Sequence, residues 1–200
     1  MPGTGVVSLD AELCWGFHDQ VTMPADRTAA PRASWRYLIA LFEKHDIPVT
    51  WAVVGHPCLD GCDGTHTNHP CEEAWFSRDP RGVVTGASRW FAPRLITSIR
   101  DSAVDHEIGL HAFSHVEFGA ETTTQAIADA ELQQGVKAAG RLDITPSSFV
   151  FPRNNVGHRD LLSDHGFTCY RGPQPDQLSE RYCSCRVLTA YGRYSAYTDV

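Results

Sequence analysis

The stretch "DHEIGLHAFSHVEF", residues 105–118, holds three histidines and three acids within fourteen residues. Residues 107–110 read as a short buried strand, and residues 111–118 read as a loop. His111 and His115 therefore stand where a strand ends. Other segments fall into place around this one. Residues 5–10, GVVSLD, and 48–55, PVTWAVVG, are apolar runs rich in β-branched residues, which suits buried strands. Residues 33–45 place Trp35, Leu38, Ile39 and Phe42 on one helical face, with Pro31 just ahead of the helix. A second helix is predicted within 91–103, with Leu95, Ile96 and Ile99 inward, and a third over 122–140, with Ile127, Leu132 and Val136 inward. A fourth strand is expected at 148–151, a short helix at 159–165 and a fifth strand at 167–170.

Strands that alternate with helices imply an α/β fold: a parallel sheet with right-handed crossovers, open or closed into a barrel. In either form the chemistry belongs at the C-terminal ends of the strands. The polar residues at those ends are Asp10 and Glu12, then His56, then His111 and His115, then Arg153 and Asn154. Two imidazoles separated by three residues can converge on one ion, and a catalytic zinc-type site commonly adds a third protein ligand and leaves a position for water. Asp10 and Glu12 are the candidates for that ligand. In an extended chain they point the same way, so one could bind the metal while the other takes a proton from the activated water. An HxxxH pair or a DxE pattern alone is common on ordinary surfaces, where most such acids are solvated or cap a helix. The joint placement on separate strand ends carries the inference.

Two hundred residues suit one sizeable domain, and 42% hydrophobic with 20% charged residues is ordinary for a globular chain. A net charge of -7 argues against a generic nucleic-acid or anionic-membrane surface. No apolar run approaches the roughly 20 residues of a membrane helix. The N-terminal MPGTGVVSLDAEL lacks the features of a signal peptide, so a soluble, cytoplasmic protein is expected. Seven cysteines, an odd and uneven set, do not form a secreted disulfide framework. Nothing in the pattern sets the oligomeric state.

The order of "VVSLDAELCWG", "HDIPVTWAVVG", "HEIGLHAFSH" and "SFVFPRN" resembles the polysaccharide deacetylases, which carry the NodB homology domain and form carbohydrate esterase family four. The resemblance covers about Val6 to Gly172, and its most specific part is "HEIGLHAFSH". It implies a distorted (β/α) barrel over 1–172, a carbohydrate substrate and metal-dependent hydrolysis of an N- or O-acetyl group. It also implies residue roles. His111 and His115 match the metal histidines, Asp10 the catalytic base and Glu12 the remaining metal ligand, with zinc the expected ion. Arg153 matches the partner of the Asp10 carboxylate. Ala11 stands where the family usually has its metal Asp, and Pro152 precedes rather than follows the arginine. Residues 173–200 contain no histidine, where the family has a late one that protonates the leaving amine, so the barrel is expected to be shortened and its tail irregular. A cyclic-amide hydrolase of the same fold, or a carbohydrate-binding pseudo-enzyme, are the competing readings.

Residues 56–86 are long for a connection and read as an insertion. Cys58, Cys62, His66, His69 and Cys71 within it could bind a structural zinc, but the spacing is not a pair of C-x2-C knuckles. A rim loop with incidental thiols is the expectation, and a Cys62–Cys71 disulfide a further option. His56, directly after the second strand, could line the pocket or be a hydrogen-bonded structural histidine.

Overall fold

A computed structural model describes residues 5–83, 89–172, 185–187 and 195–196. The strands are β1 (Ser8–Ala11), β2 (Thr50–Val53), β3 (Gly61–Cys62), β4 (Gly82–Val83), β5 (Glu107–Leu110), β6 (Ser148–Val150), β7 (Cys169–Arg171), β8 (Cys185–Val187) and β9 (Ser195–Ala196). The helices are α1 (Ala25–Ala29), α2 (Pro31–His45), α3 (Pro93–Arg100) and α4 (Gln125–Gly140). The main sheet runs β1-β2-β5-β6-β7-β8-β9, while β3 and β4 form a separate antiparallel pair. The pairings from β1 through β7 are parallel, as the strand–helix alternation requires. β8 and β9 add antiparallel pairings, so the stretch expected to be irregular contributes two short strands.

Register separates the sheet into two chemical faces. Leu9, Trp51 and Ile108 are paired neighbours on one face, and Leu110, Phe149 and Tyr170 continue it. This apolar face packs under the helices. Trp51 meets Trp35 and Phe42 of α2, with ring centroids 6.0 and 6.4 Å apart. Leu110, Phe149 and Tyr170 share a core with Ala128 and Leu132 of α4. Each such large apolar side chain contributes about 1.5–3 kcal/mol on burial. The opposite face carries Ser8 and Asp10, Thr50 and Ala52, Glu107 and Gly109, Ser148, and Arg171, which are mostly small or polar.

This second face is the inside of a curl. Arg171 of β7 donates from Nη1 to Ser8 Oγ (2.8 Å) and from Nη2 to Asp10 Oδ1 (2.5 Å) on β1. In a flat sheet those strands would stand four spacings apart, about 19 Å. An arginine and an aspartate cannot span that, so the sheet bends round and the arginine bridges its interior. The result is a curled half-barrel, in keeping with the distorted barrel expected.

α2 has Pro31 at its first turn and ends at Asp46, a left-handed C-cap (φ 52°) whose N–H reaches the carbonyls of Glu43 and Phe42. α4 starts at Thr124, whose side chain accepts from Ile127 N. The helix expected at 159–165 is instead two 3-10 turns, Arg159–Leu161 and Ser163–His165. His158 before them and Gly166 after them are both left-handed (φ 47° and 86°), which leaves no length for an α-helical ladder.

Candidate functional site

Glu12 follows the last residue of β1 and caps the 3-10 turn Leu13–Phe17. Its helical backbone (φ -114°, ψ -16°) ends the strand alternation there. Gly16 lies beneath its carboxylate, where a Cβ would collide with Glu12 Cγ, Cδ and Oε1. Glycine at this turn therefore lets the carboxylate lie over it.

His111 continues β5 by one residue, donating its backbone N–H to Val53 O (2.8 Å). Its Nδ1 is 2.7 Å from Val150 O, so Nδ1 carries the proton and Nε2 presents its lone pair to the rim. Nε2 of His111 and of His115 lie 3.5 and 2.9 Å from Glu12 Oε2. One ligand atom from each of the three residues falls within 4.8 Å of the others. Both imidazoles are almost wholly buried, and His115 Nδ1 has no hydrogen-bond partner. Two imidazole nitrogens and a carboxylate oxygen directed at one point suit a divalent cation and leave room for exchangeable ligands.

The loop between the histidines is strained, with Ala112 and His115 at φ 60° and 67°. Glu131 of α4 holds it. Its Oε2 accepts from Phe113 N (2.9 Å) and Ser114 N (2.7 Å), and its Oε1 accepts from Ser114 Oγ. Trp75 Nε1 donates to Ser114 Oγ (2.8 Å) and His69 Nε2 lies 3.0 Å from Glu131 Oε1. Glu131 is fully buried. Sequence reasoning missed it, although it falls on the buried stripe of α4 with Ala128, Leu132 and Gly135, where an acid is out of place.

Burial pushes the Glu12 carboxyl up, but the neighbouring His111 and His115 imidazoles outweigh it and hold the group well below the usual carboxylate range. His18, packed against Trp15 and Trp75, shows the opposite balance. Burial dominates and lowers it to about 4, despite its Nδ1 contact with Trp15 O at 2.7 Å.

Asp10 lies on the same rim but is not among the converging ligand atoms. Its partner corrects the sequence expectation. Arg153 does not reach it; Arg153 lies in a left-handed turn (φ 53°) and binds Asp19 Oδ1 (2.7 Å) and Glu117 Oε1 (2.6 Å). Arg171 takes the place beside Asp10, because the curl brings β7 across to β1. Asn155 Nδ2 also donates to Glu117 (2.9 Å), so Arg153 belongs to a tie between rim loops.

The insertion is also more ordered than incidental thiols imply. Cys58 is buried in the main core, and burial pushes its thiol up to about 12. Cys62 and His66 gather with His56 and Asp79, whereas His69 and Cys71 gather with Glu131. Cys62 and Cys71 are free, as are Cys14 and Cys58, so the optional Cys62–Cys71 disulfide is not formed. Asp79 carried no signal in the residue spacing.

No helix among the described residues is long and apolar enough to cross a membrane. No protein-family model matches the chain, and no curated protein matches it in sequence. Solved structures do match in shape. One is a Mycobacterium smegmatis protein assigned as a candidate polysaccharide deacetylase, with TM-score 0.54 and 16% identity over 86% of this chain and 55% of that one. Another, a family 4 acetyl xylan esterase from Clostridium thermocellum in complex with cobalt, has TM-score 0.46 and 14% identity, covering 88% of this chain and 64% of that one. The chain thus spans just over half the length of the Mycobacterium smegmatis protein, and shares its curled α/β barrel fold.

Proposed function

We propose that the chain is a metal-dependent hydrolase that removes acetyl groups from an N- or O-acetylated carbohydrate. The observation that carries this is the convergence of Glu12, His111 and His115 at the C-terminal rim of β1 and β5, with Asp10 on the same rim. The fold shared with the Mycobacterium smegmatis protein supports the same reading. Glu12, His111 and His115 would hold the metal, and the mixed nitrogen and oxygen set suits zinc. When bound, the ion supplies Lewis acidity, which makes a water more acidic and polarises an acetyl carbonyl.

The remaining roles belong to the chain itself. Asp10 is the general base, and Arg171 orients its carboxylate through the 2.5 Å contact. Val150 O fixes the His111 tautomer, and Glu131 sets the loop that aims both imidazoles. The free thiols of Cys14, Cys58, Cys62 and Cys71 support a reducing, cytoplasmic setting, which cell fractionation checks.

The test is acetate release from N-acetylated chitooligosaccharides, peptidoglycan fragments and O-acetylated xylan, with metal-stripped protein as control. Metal-dependent release from any of these is expected, and the preferred class names the linkage. No release by fully loaded protein from all three would contradict the proposal.

A further inference from the structure

His56 is fully buried, yet neither of its ring nitrogens has a hydrogen-bond partner. Buried polar groups left without a hydrogen bond are destabilising. Its surroundings show what could satisfy it. His56 Nε2 lies 3.1 Å from Asp79 Oδ2, off the line of a hydrogen bond. His66 Nε2 lies 2.9 Å from the same oxygen and 3.4 Å from Cys62 Sγ. A single His66 nitrogen cannot donate to Asp79 and accept from the Cys62 thiol at once. Four potential ligand atoms, from His56, Cys62, His66 and Asp79, lie within 4.8 Å of one another.

We infer that His56, Cys62, His66 and Asp79 form a second metal site, a closed structural zinc site that ties the insertion to the barrel. Zinc bonds of about 2.0–2.3 Å at tetrahedral angles set ligand atoms about 3.3–3.6 Å apart. Three of the separations, 2.9, 3.1 and 3.4 Å, are close to that, and the others lie within 4.8 Å. Four protein ligands leave no open position, which is the mark of a structural rather than a catalytic site. Neighbouring groups already support the ligands. Gly64 N donates to Cys62 Sγ (3.3 Å), as suits a thiolate, and Arg81 N donates to Asp79 Oδ1 (3.1 Å), while Oδ2 faces the two histidines. The β3–β4 pair brings Cys62 opposite Gly82 and so draws Asp79 to the site. A cavity of about 950 Å³, lined in part by Cys62 and His66, gives an ion a way in.

The group formed by His69, Cys71 and Glu131 does not carry the same inference. Both oxygens of Glu131 already accept hydrogen bonds from Phe113 and Ser114. Cys71 N also donates to His69 Nδ1 (3.2 Å). That carboxylate is committed to the histidine loop. The tetrad instead touches the loop through backbone, since His56 N donates to Phe113 O (2.9 Å).

Cobalt substitution tests the site separately from the rim triad, because the triad has no sulfur. The intact chain loaded with cobalt should show thiolate-to-metal charge-transfer absorption in the near ultraviolet, and His111→Ala/His115→Ala should keep it. Cys62→Ser should lose it and Cys71→Ser should keep it. A measurement on the wild-type protein makes the test independent of whether variants fold. Zinc should slow alkylation of Cys62, mapped by mass spectrometry, by at least tenfold relative to chelator-treated protein, with Cys71 little changed. No charge-transfer band in the wild type, or metal protection of Cys71 in place of Cys62, would overturn the inference.

Discussion

Two regions of this molecule gather histidines with acids, and they do so by different means. At the rim, Glu12, His111 and His115 sit where β1 and β5 end, so strand register and the loop held by Glu131 bring them together. In the insertion, His56, Cys62, His66 and Asp79 come from a loop folded back through a two-residue strand pair. The rim group includes a partly exposed carboxylate and offers three ligands; the insertion group offers four and is mostly buried. Proximity of ligand residues is therefore common to both, and openness separates a site for chemistry from a site for structure.

The sharpest way to break that contrast is at the two acids of the rim. Asp10→Asn should keep the metal and lower acetate release by about 10²–10⁴-fold, the usual worth of a positioned general base. Glu12→Gln should lower metal content as well. Loss of metal from Asp10→Asn with retention in Glu12→Gln, read by elemental analysis, would reverse the two assignments.

Next in size is the residue that joins the regions. Glu131 supports the histidine loop from α4 and also meets His69 of the insertion. Glu131→Ala strips partners from Phe113 N, Ser114 N and Ser114 Oγ in a buried place. A loss of about 3–5 kcal/mol in denaturant unfolding is expected, together with weaker metal binding at the rim. A loss under about 1 kcal/mol would mean that the loop holds its own shape.

His18 gives a pH test between the two regions. Its folded value of about 4 lies below the ordinary 6.5, so from pH 6.5 down to about 4 the unfolded chain takes up a proton that the fold refuses. The contribution is complete above pH 6.5 and falls away towards pH 4, by up to about 3 kcal/mol. Relative to wild type, His18→Phe should gain about that much between pH 7 and pH 4 in urea titrations. An unchanged gap would show that His18 protonates freely in the fold.

The smallest effect belongs to Arg153. Its pairs with Asp19 and Glu117 are partly exposed, so Arg153→Ala should cost about 0–1 kcal/mol and leave catalysis within a few-fold. Arg171→Ala, by contrast, should lower acetate release without loss of metal. Equal effects on rate from the two substitutions would remove the distinction drawn from the curl.

These contrasts track how far each feature could be read from the chain. β5 is found at the residues expected, and α2 and α4 lie within two or three residues of theirs, because apolar periodicity is a local signal. The rim histidines were legible for the same reason: four positions in sequence place them beside one strand end. Arg171 was not, since it meets Asp10 across 161 residues only after the sheet has bent. Asp79 and Glu131 were hidden similarly, by a loop that returns and by a helix face that looked merely amphipathic. The 3-10 turns at 159–165 show periodicity overruled by two left-handed residues at their ends.

Anomalous diffraction at the zinc edge, from crystals of the metal-loaded chain, tests the central claim most directly. A peak is expected about 2.0–2.2 Å from Glu12 Oε2 and from Nε2 of both His111 and His115. Metal-loaded crystals with no anomalous density between those three atoms would contradict it.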